Sequence, residues 1–427
     1  MVSRLGSAVD YRAWVDMNRC SGAQRRSTSS GVTRRARRVA GVVASAVLAL
    51  SVTACTAGGP APATHAAAAV SAAVPTSSAA PVVAATPSPS PSPAWPPAAA
   101  AGTPADLAPG SDPSVLPGPI IIADKKNNRL VVVSPQGQVL WQWPQPGDLA
   151  AGQTFTIPDD VFFTPDGKDI IATEEDDFVI TEIDIATRKI VWRYGTPGTH
   201  GSGPNQLWNP DDAMMLPDGT VVAADIKNCR LVDLSSSSPG PLWTLGRLGS
   251  CAHNPPARFG SPNGVFPLPN GHFLVTEING SWVDEIDRTG HVYWSTHLPA
   301  VTYPSDSSQY RPGQYLTVGY TNPGQAVIFD ASGKAVWRWN PSSGAGRLNH
   351  PSLAEGLPNG DIMLNDDFNH RVIVIDPTQN KIVWQYGHTG VAGSGPGYLD
   401  NPDGIDLVPP HSYANAVGTT QATPGFW

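Results

Sequence analysis

Acidic side chains recur at matched places along this chain, and two histidines stand beside one set of them. Asp159, Asp160, Asp211, Asp212 and Asp403 follow prolines that open successive segments, and Asn263, Asp306 and Ser352 hold the corresponding places elsewhere. Carboxylates that converge supply the oxygen ligands of a hard cation such as Ca²⁺. Pro-Asp is also a turn former, which gives the same residues a purely local duty. His350 stands where the other segments place Ile, Asn, Ser or Tyr, and His370 follows beside Asp366 and Asp367. An imidazole can act as nucleophile, proton carrier or zinc ligand. His350, His370 and Asp366 form a candidate zinc set, without a sharp spacing signal. Ligand binding is accordingly expected at Asp160, Asp212, His350, Asp366, His370 and Asp403, and His350 is the one catalytic candidate.

The elements that position these residues follow from a repeat. Trp141, Trp192, Trp243, Trp294, Trp337 and Trp384 recur at spacings of 51, 51, 51, 43 and 47 residues. Each has a residue two places before it that is apolar: Val139, Ile190, Pro241, Val292, Ala335 and Ile382. One aromatic landmark every 40 to 50 residues is the signature of a β-propeller blade, so six landmarks predict six blades. A cofactor needs one or two stacking rings, whereas six symmetric ones suit packing between blades. Short apolar runs separated by Pro165-Asp166-Gly167, Pro217-Asp218-Gly219, Pro269-Asn270-Gly271 and Pro358-Asn359-Gly360 read as hairpins, with no helical period. Gly there takes the left-handed conformation without a steric cost.

The expected fold is all-β, a six-bladed propeller over residues 113–410. Blade one begins with three strands and lacks its opening strand. Asn401-Pro402-Asp403-Gly404 through Val408 copies Asn209-Pro210-Asp211-Asp212 and is expected to pair beside Ile120–Asp124, closing the ring. Residues 411–427 form a tail with no assigned place. In such a ring, the starts of the innermost strands share one channel mouth with the loops between second and third strands. That places the Pro-Asp carboxylates on an inner ring. Asp124, Glu174, Glu175, Asp176, Asp177, Asp225, Glu277, Asp366 and Asp367 then fall on an outer ring.

The leading 112 residues are of another kind. Arg25, Arg26, Arg34, Arg35, Arg37 and Arg38 precede the apolar stretch Val39 to Val52, which ends in Val52-Thr53-Ala54-Cys55. A basic region, a short apolar run and small residues before a cysteine resemble the leader and lipobox of a bacterial lipoprotein. The resemblance implies a signal peptide over 1–54, a diacylglyceryl group on Cys55, and attachment to the lipid bilayer at the extracytoplasmic face of the membrane. Residues 55–112 are rich in Ala, Pro, Ser and Thr, a composition that favours an extended, disordered tether. Of 27 basic and 35 acidic side chains, 9 and 4 lie in residues 1–112, leaving 18 and 31 beyond, a net of −13. Such a surface argues against nucleic acid and is compatible with cations or basic ligands.

Three segments resemble the NHL repeat, in which Asp, a short turn and Asn precede an Arg that enters an apolar strand. They are Asp124-Lys-Lys-Asn127-Asn-Arg129, Asp225-Ile-Lys-Asn228-Cys-Arg230 and Asp366-Asp-Phe-Asn369-His-Arg371. The segment Asp184-Ile-Ala-Thr187-Arg-Lys189-Ile-Val-Trp192 resembles the PQQ-type propeller repeat. Both imply a propeller and a binding habit. Three copies of an Asp–Arg motif suit structural pairing better than one active site. Glu277-Ile-Asn-Gly and Gly319-Tyr-Thr-Asn-Pro lack the Arg. The stretch from Asn349 to Asp366 resembles a segment of bacterial arylsulfotransferases, which are six-bladed propellers with a channel histidine. That resemblance implies His350 as acceptor of the sulfuryl group, although the further histidines and arginine of that family have no counterparts here.

Cys20 leaves with the leader and Cys55 takes lipid, so Cys229 and Cys251 remain for a disulfide in an oxidising compartment. The sequence thus reads as a monomeric, membrane-anchored propeller that binds an unidentified protein or small molecule at an acidic mouth. Arylsulfotransferase-like catalysis through His350 is the competing reading, and no cofactor is expected apart from Ca²⁺.

Overall fold

The computed structural model describes residues 106–298 and 300–409. The leader, Cys55, most of the tether and the 411–427 tail lie outside the described residues. Among those described, no helix is long and apolar enough to cross a membrane.

Six four-stranded antiparallel sheets form the fold. The first contains β1 (Ile120–Asp124), β2 (Arg129–Val133) and β3 (Val139–Trp143). The second contains β4 (Val161–Phe163), β5 (Asp169–Glu174), β6 (Val179–Asp184) and β7 (Lys189–Gly195). The third comprises β8 (Pro210–Met215), β9 (Val221–Asp225), β10 (Arg230–Leu234) and β11 (Trp243–Gly246). The fourth comprises β12 (Pro262–Pro267), β13 (Phe273–Glu277), β14 (Trp282–Ile286) and β15 (Val292–His297). The fifth has β16 (Pro304–Arg311), β17 (Gln314–Gly319), β18 (Gln325–Asp330) and β19 (Ala335–Trp339). The sixth has β20 (Ala354–Gly356), β21 (Ile362–Asp366), β22 (Arg371–Asp376) and β23 (Lys381–Gly387). The last strand, β24 (Pro402–Leu407), joins blade one as its innermost strand, with Ile120 opposite Leu407 and Ile122 opposite Ile405. The ring closes as the copied Asn-Pro-Asp motif predicts.

The hairpin signals act as expected. Gly167, Gly219, Gly271 and Gly360 have φ of 66°, 82°, 83° and 92°. Each donates its N–H to the carbonyl three residues back, at 2.8 to 2.9 Å.

Each landmark tryptophan faces the following blade. Trp141 lies under the Arg188 guanidinium, 5.2 Å from the ring centroid. Trp192 joins the cluster formed with Val221, Ala223 and Leu234 of blade three. Trp243 reaches Phe273 at 6.2 Å and Trp294 reaches Tyr315 at 4.8 Å, centroid to centroid. The Trp337 indole donates to Asn380 Oδ1 (2.9 Å) and the Trp384 indole to the Pro135 carbonyl (2.8 Å). A bulge precedes Trp141, Trp192, Trp294, Trp337 and Trp384, leaving Leu140, Val191, Tyr293, Val336 and Val383 outside the one-to-one register. A bulge re-aims the next side chain, here the indole toward its neighbour blade. In blade three the outer strand begins at Trp243 itself, so Pro241 takes no place in the ladder.

The edge of blade six is covered. Leu107 bridges Tyr386, and the amides of Ala108 and Asp112 donate to the Gln385 and Val383 carbonyls at 3.1 and 2.8 Å. Residues 107–112, assigned by composition to the tether, therefore run beside β23.

Candidate binding site at the propeller mouth

The innermost strands β24, β4, β8, β12, β16 and β20 contact one another in turn. Each is preceded by, or begins at, a proline, and the residue before that proline is left-handed in all six blades. Ile157, Asn209, Ser261, Tyr303, His350 and Asn401 have φ of 51°, 54°, 56°, 53°, 57° and 52°. Asn and His tolerate this region, while Ile and Tyr adopt it only when the surroundings impose it. The six-fold turn thus sets the backbone of His350.

Two residues follow each proline toward the axis. The first set is Asp159, Asp211, Asn263, Ser305, Ser352 and Asp403; the second is Asp160, Asp212, Gly264, Asp306, Leu353 and Gly404. Every one of the carboxylates is at most 6 % exposed. Asp306 belongs to the second set, with Ser305 at the first-set place. Two positions further along, Ser308, Glu355 and Asp406 share a level with Phe162, Met214 and Phe266, so the next level is half polar and half apolar.

Lys125, which the sequence showed only as part of a turn, is buried among these acids. Its Nζ bonds Asp159 Oδ1, and it lies 2.7 Å from Asp403 Oδ2 and 3.6 Å from Glu175 Oε2. Burial pushes the Asp403 carboxyl up, but Lys125 and the hydrogen bonds from its neighbours hold it below its ordinary value. Asp159 is pushed well up by burial and by the Asp403 charge. Asp160 is raised to about 6 and Asp406 to about 7, burial being the largest cause. Asp211, Asp212, Asp306 and Glu355 are raised well above the carboxylate range, by burial first and then by neighbouring carboxylates, Asp160 among them in each case.

Within this zone Asp160, Asp212 and Asp306 offer ligand atoms that all lie within 4.8 Å of one another. The Oδ1 atoms of all three, and Thr276 Oγ1, are buried without a hydrogen-bond partner. Gly264 leaves the room between them. A Cβ there would lie 2.6 Å from Asp306 Oδ1, 3.1 Å from Asp212 Oδ2 and 3.2 Å from Thr276 Oγ1. Buried oxygens of this kind call for a cation or for protons.

The Asp–Arg motifs hold the blades. Asp124, Asp225 and Asp366 accept from Arg129, Arg230 and Arg371 Nε at 2.6, 2.7 and 2.8 Å, and from Asn127, Asn228 and Asn369, each at 2.8 Å. Their second oxygens accept the amides of Asp400, Trp208 and Asn349 at 2.7, 2.8 and 2.6 Å. Each aspartate thus ties its turn to the incoming inter-blade link. Both oxygens of Asp366 are engaged in this way, which places it in the framework of blade six.

The two histidines are not brought together with Asp366 into an ion-sharing group. His350 Nδ1 is 2.9 Å from Asn349 Oδ1, and its ring lies against Tyr320 (4.9 Å) and Phe368 (4.8 Å). Burial lowers its pKa, favouring the neutral imidazole. His370 Nδ1 accepts the Asn401 amide at 3.2 Å and lies 3.4 Å from Asp400 Oδ1. Tyr303 extends the aromatic row, 5.5 Å from Tyr320. The half-buried row Tyr303, Tyr320, His350 and Phe368 borders the acidic zone.

Cys229 and Cys251 are joined, with Cα atoms 4.9 Å apart. The bridge ties the start of β10 to the link between blades three and four.

The family model described as outer membrane protein assembly factor BamB matches residues 82–255. The chain is a six-bladed β-propeller, with a PQQ-like match over part of its length. A protein of unknown function from Bacteroides caccae is similar at 17 % identity and a TM-score of 0.48, over 68 % of this chain and 98 % of its own. An inactive variant of virginiamycin B lyase from Staphylococcus aureus, with quinupristin, is similar at 17 % identity and a TM-score of 0.39, over 53 % and 69 %. Hydrazine synthase from Kuenenia stuttgartiensis is similar at 15 % and 0.43, over 61 % and 77 %. No curated protein matches the chain. The propeller fold and this match support a binding or scaffold module.

Proposed function

We propose that this protein is a membrane-anchored extracytoplasmic binding module that takes a cationic ligand at the acidic mouth of its propeller. One observation carries the reading: Asp160, Asp212 and Asp306 each keep a buried oxygen without a hydrogen-bond partner, grouped where Gly264 leaves space. Such a group gains most from an incoming positive charge, and Lys125 already answers Asp159 and Asp403. The bordering aromatic row adds ring faces suited to a cation. The leader pattern ending at Cys55 supports lipid anchoring, and the Cys229–Cys251 bridge agrees with an oxidising compartment.

All-oxygen, carboxylate-rich donors suit a hard ion, so Ca²⁺ is the simplest ligand of the axial group. Calorimetric titration of the purified full-length chain with CaCl₂ tests this, beside Asp212→Asn and Gly264→Ala. The expected result is saturable binding by the wild type, weakened at least tenfold by either change. Equal binding by all three proteins would reject the axial site. A macromolecular partner is sought with a photo-crosslinking residue at position 350 on intact cells, and one at position 166 as the control. Adducts confined to position 350 support docking at the mouth; equal labelling at both positions rejects it.

A further inference from the structure

Blade four breaks the charge pattern that every other acidic blade keeps. In blade two, Glu174 accepts from Thr181 Oγ1 at 2.7 Å and pairs with Arg193 Nη2 at 3.0 Å. Thr181 lies opposite Ala172 on one side and Arg193 on the other. The same register in blade four sets Asp284 opposite Val275 and Ser295, with Glu277 in the place of Glu174. Relative to blade two, therefore, Thr181 has become Asp284 and Arg193 has become Ser295. One positive charge is gone and one negative charge has been added beside a buried glutamate. Blades one, three and six keep an arginine on the matching aspartate and have Val131, Val232 and Ile373 where blade four has Asp284.

What stands in the arginine's place is a histidine from the disulfide-stapled link. His253 Nδ1 lies 3.0 Å from Glu277 Oε1, and the Gly260 amide donates to Glu277 Oε2 at 2.5 Å. Ser295 Oγ is 3.3 Å from His253 Nε2, a contact that leaves Nδ1 facing the acids. The Trp282 ring stacks on the imidazole at 3.9 Å and 5°. Asp284 and Glu277 are fully buried, and neither oxygen of Asp284 receives a hydrogen bond of regular geometry, Glu277 and Ser295 being its polar neighbours. His253 keeps a side-chain exposure of 20 %, so the group opens toward solvent on that side. One ligand atom from each of the three residues falls within 4.8 Å of the others.

We propose that His253, Glu277 and Asp284 bind a divalent transition metal, Zn²⁺ by the donor set, with one coordination position left to water. Imidazole plus two carboxylates suits zinc better than calcium, and three protein ligands with an open place match its four-coordinate habit. Ser295 supplies the outer contact that orients a ligating histidine. Burial, which also lowers His253, favours its neutral form, so the histidine does not replace the missing arginine charge. Without a metal the acids must hold a proton instead, and burial and the Asp284 neighbour push Glu277 up to about 10. The Cys229–Cys251 bridge lies two residues before His253 and fixes the link that carries it.

The test is a titration of the metal-stripped full-length chain with Zn²⁺, followed by calorimetry, and with Co²⁺, followed by visible absorption. Millimolar Ca²⁺ is kept present so that all-oxygen sites are filled. One equivalent of Zn²⁺ and a Co²⁺ band are expected for the wild type. His253→Ala and Asp284→Asn should each weaken binding at least a hundredfold, while Asp166→Asn in an exposed turn leaves it unchanged. In EDTA, Asp284→Asn should melt no lower than wild type, because it removes an unanswered acid; this separates lost binding from lost folding. No binding by wild type, or full binding by Asp284→Asn, would overturn the proposal.

Discussion

The Trp384 indole N–H donates to the Pro135 carbonyl at 2.8 Å, joining the last blade of the ring to the first. The ring of Trp384 is fully buried, so this contact combines a large packing surface with a satisfied buried acceptor. Trp384→Ala is expected to destabilise by about 3–5 kcal/mol, as large aromatic truncations in packed cores do. Trp384→Phe keeps most of the volume but leaves the Pro135 carbonyl bare, and should cost about 1–3 kcal/mol. Urea unfolding followed by tryptophan fluorescence checks the order of the two.

Arg371 and Asp366 form a fully buried pair in the framework of blade six. Arg371→Met leaves the Asp366 charge buried and unanswered, which typically costs about 3–5 kcal/mol. The double change Arg371→Met with Asp366→Asn should recover part of that loss. Thermal melts of the two variants decide it; an intact single variant would show that the pair holds nothing.

His350 is neutral, hydrogen-bonded to its own neighbour Asn349 and packed between Tyr320 and Phe368. The partner of Nδ1 is an amide oxygen rather than a carboxylate, which adds little basicity for attack on a sulfuryl group. With 4-nitrophenyl sulfate and a phenol acceptor, wild type and His350→Ala are expected to release 4-nitrophenol at the same background rate. Turnover by the wild type that His350→Ala abolishes would establish the enzymatic reading instead.

The blades were legible because their signals are local. Pro-Asp-Gly and Pro-Asn-Gly turns, a tryptophan per blade and a displaced Asn-Pro-Asp copy each constrain nearby backbone, and all act in the structure as their types dictate. The acidic axis was legible in part, since Pro-Asp starts repeat in sequence. Lys125 was not, because a lysine in a surface-looking turn reaches the axis only once β24 has come round beside β1. His253 and Asp284 were missed for a related reason. The absent arginine of blade four was visible beside Glu277, but seeing what replaced it requires the strand register that sets Asp284 against Ser295.

The Cys229–Cys251 bridge closes a loop with a sequence separation of 22. Loop-closure entropy for such a span gives about 3 kcal/mol of stabilisation. Reduction, or paired Cys→Ser changes, should lower the melting temperature by several degrees, and mass analysis of the non-reduced chain should show both thiols consumed.

The axial acids make stability depend on pH in an unusual direction. A carboxyl whose folded pKa is raised binds protons more tightly when folded, so its contribution is complete below the unfolded value and is lost as pH rises through the folded one. Asp160 rises to about 6 and Asp406 to about 7, and Glu174, off the axis in blade two, also to about 7, in each case with burial as the largest cause. In EDTA the protein should therefore be more stable at pH 5 than at pH 8, by on the order of a few kcal/mol. Asp212→Asn removes one of the mutually repelling acids and should flatten that fall. Ca²⁺ should restore the wild type at pH 8 and do less for Asp212→Asn, since a cation answers the same charge that the substitution deletes. Melting curves across pH 5–8 with EDTA or Ca²⁺ measure both effects; a wild type that gains stability toward pH 8 in EDTA would contradict the buried-acid account.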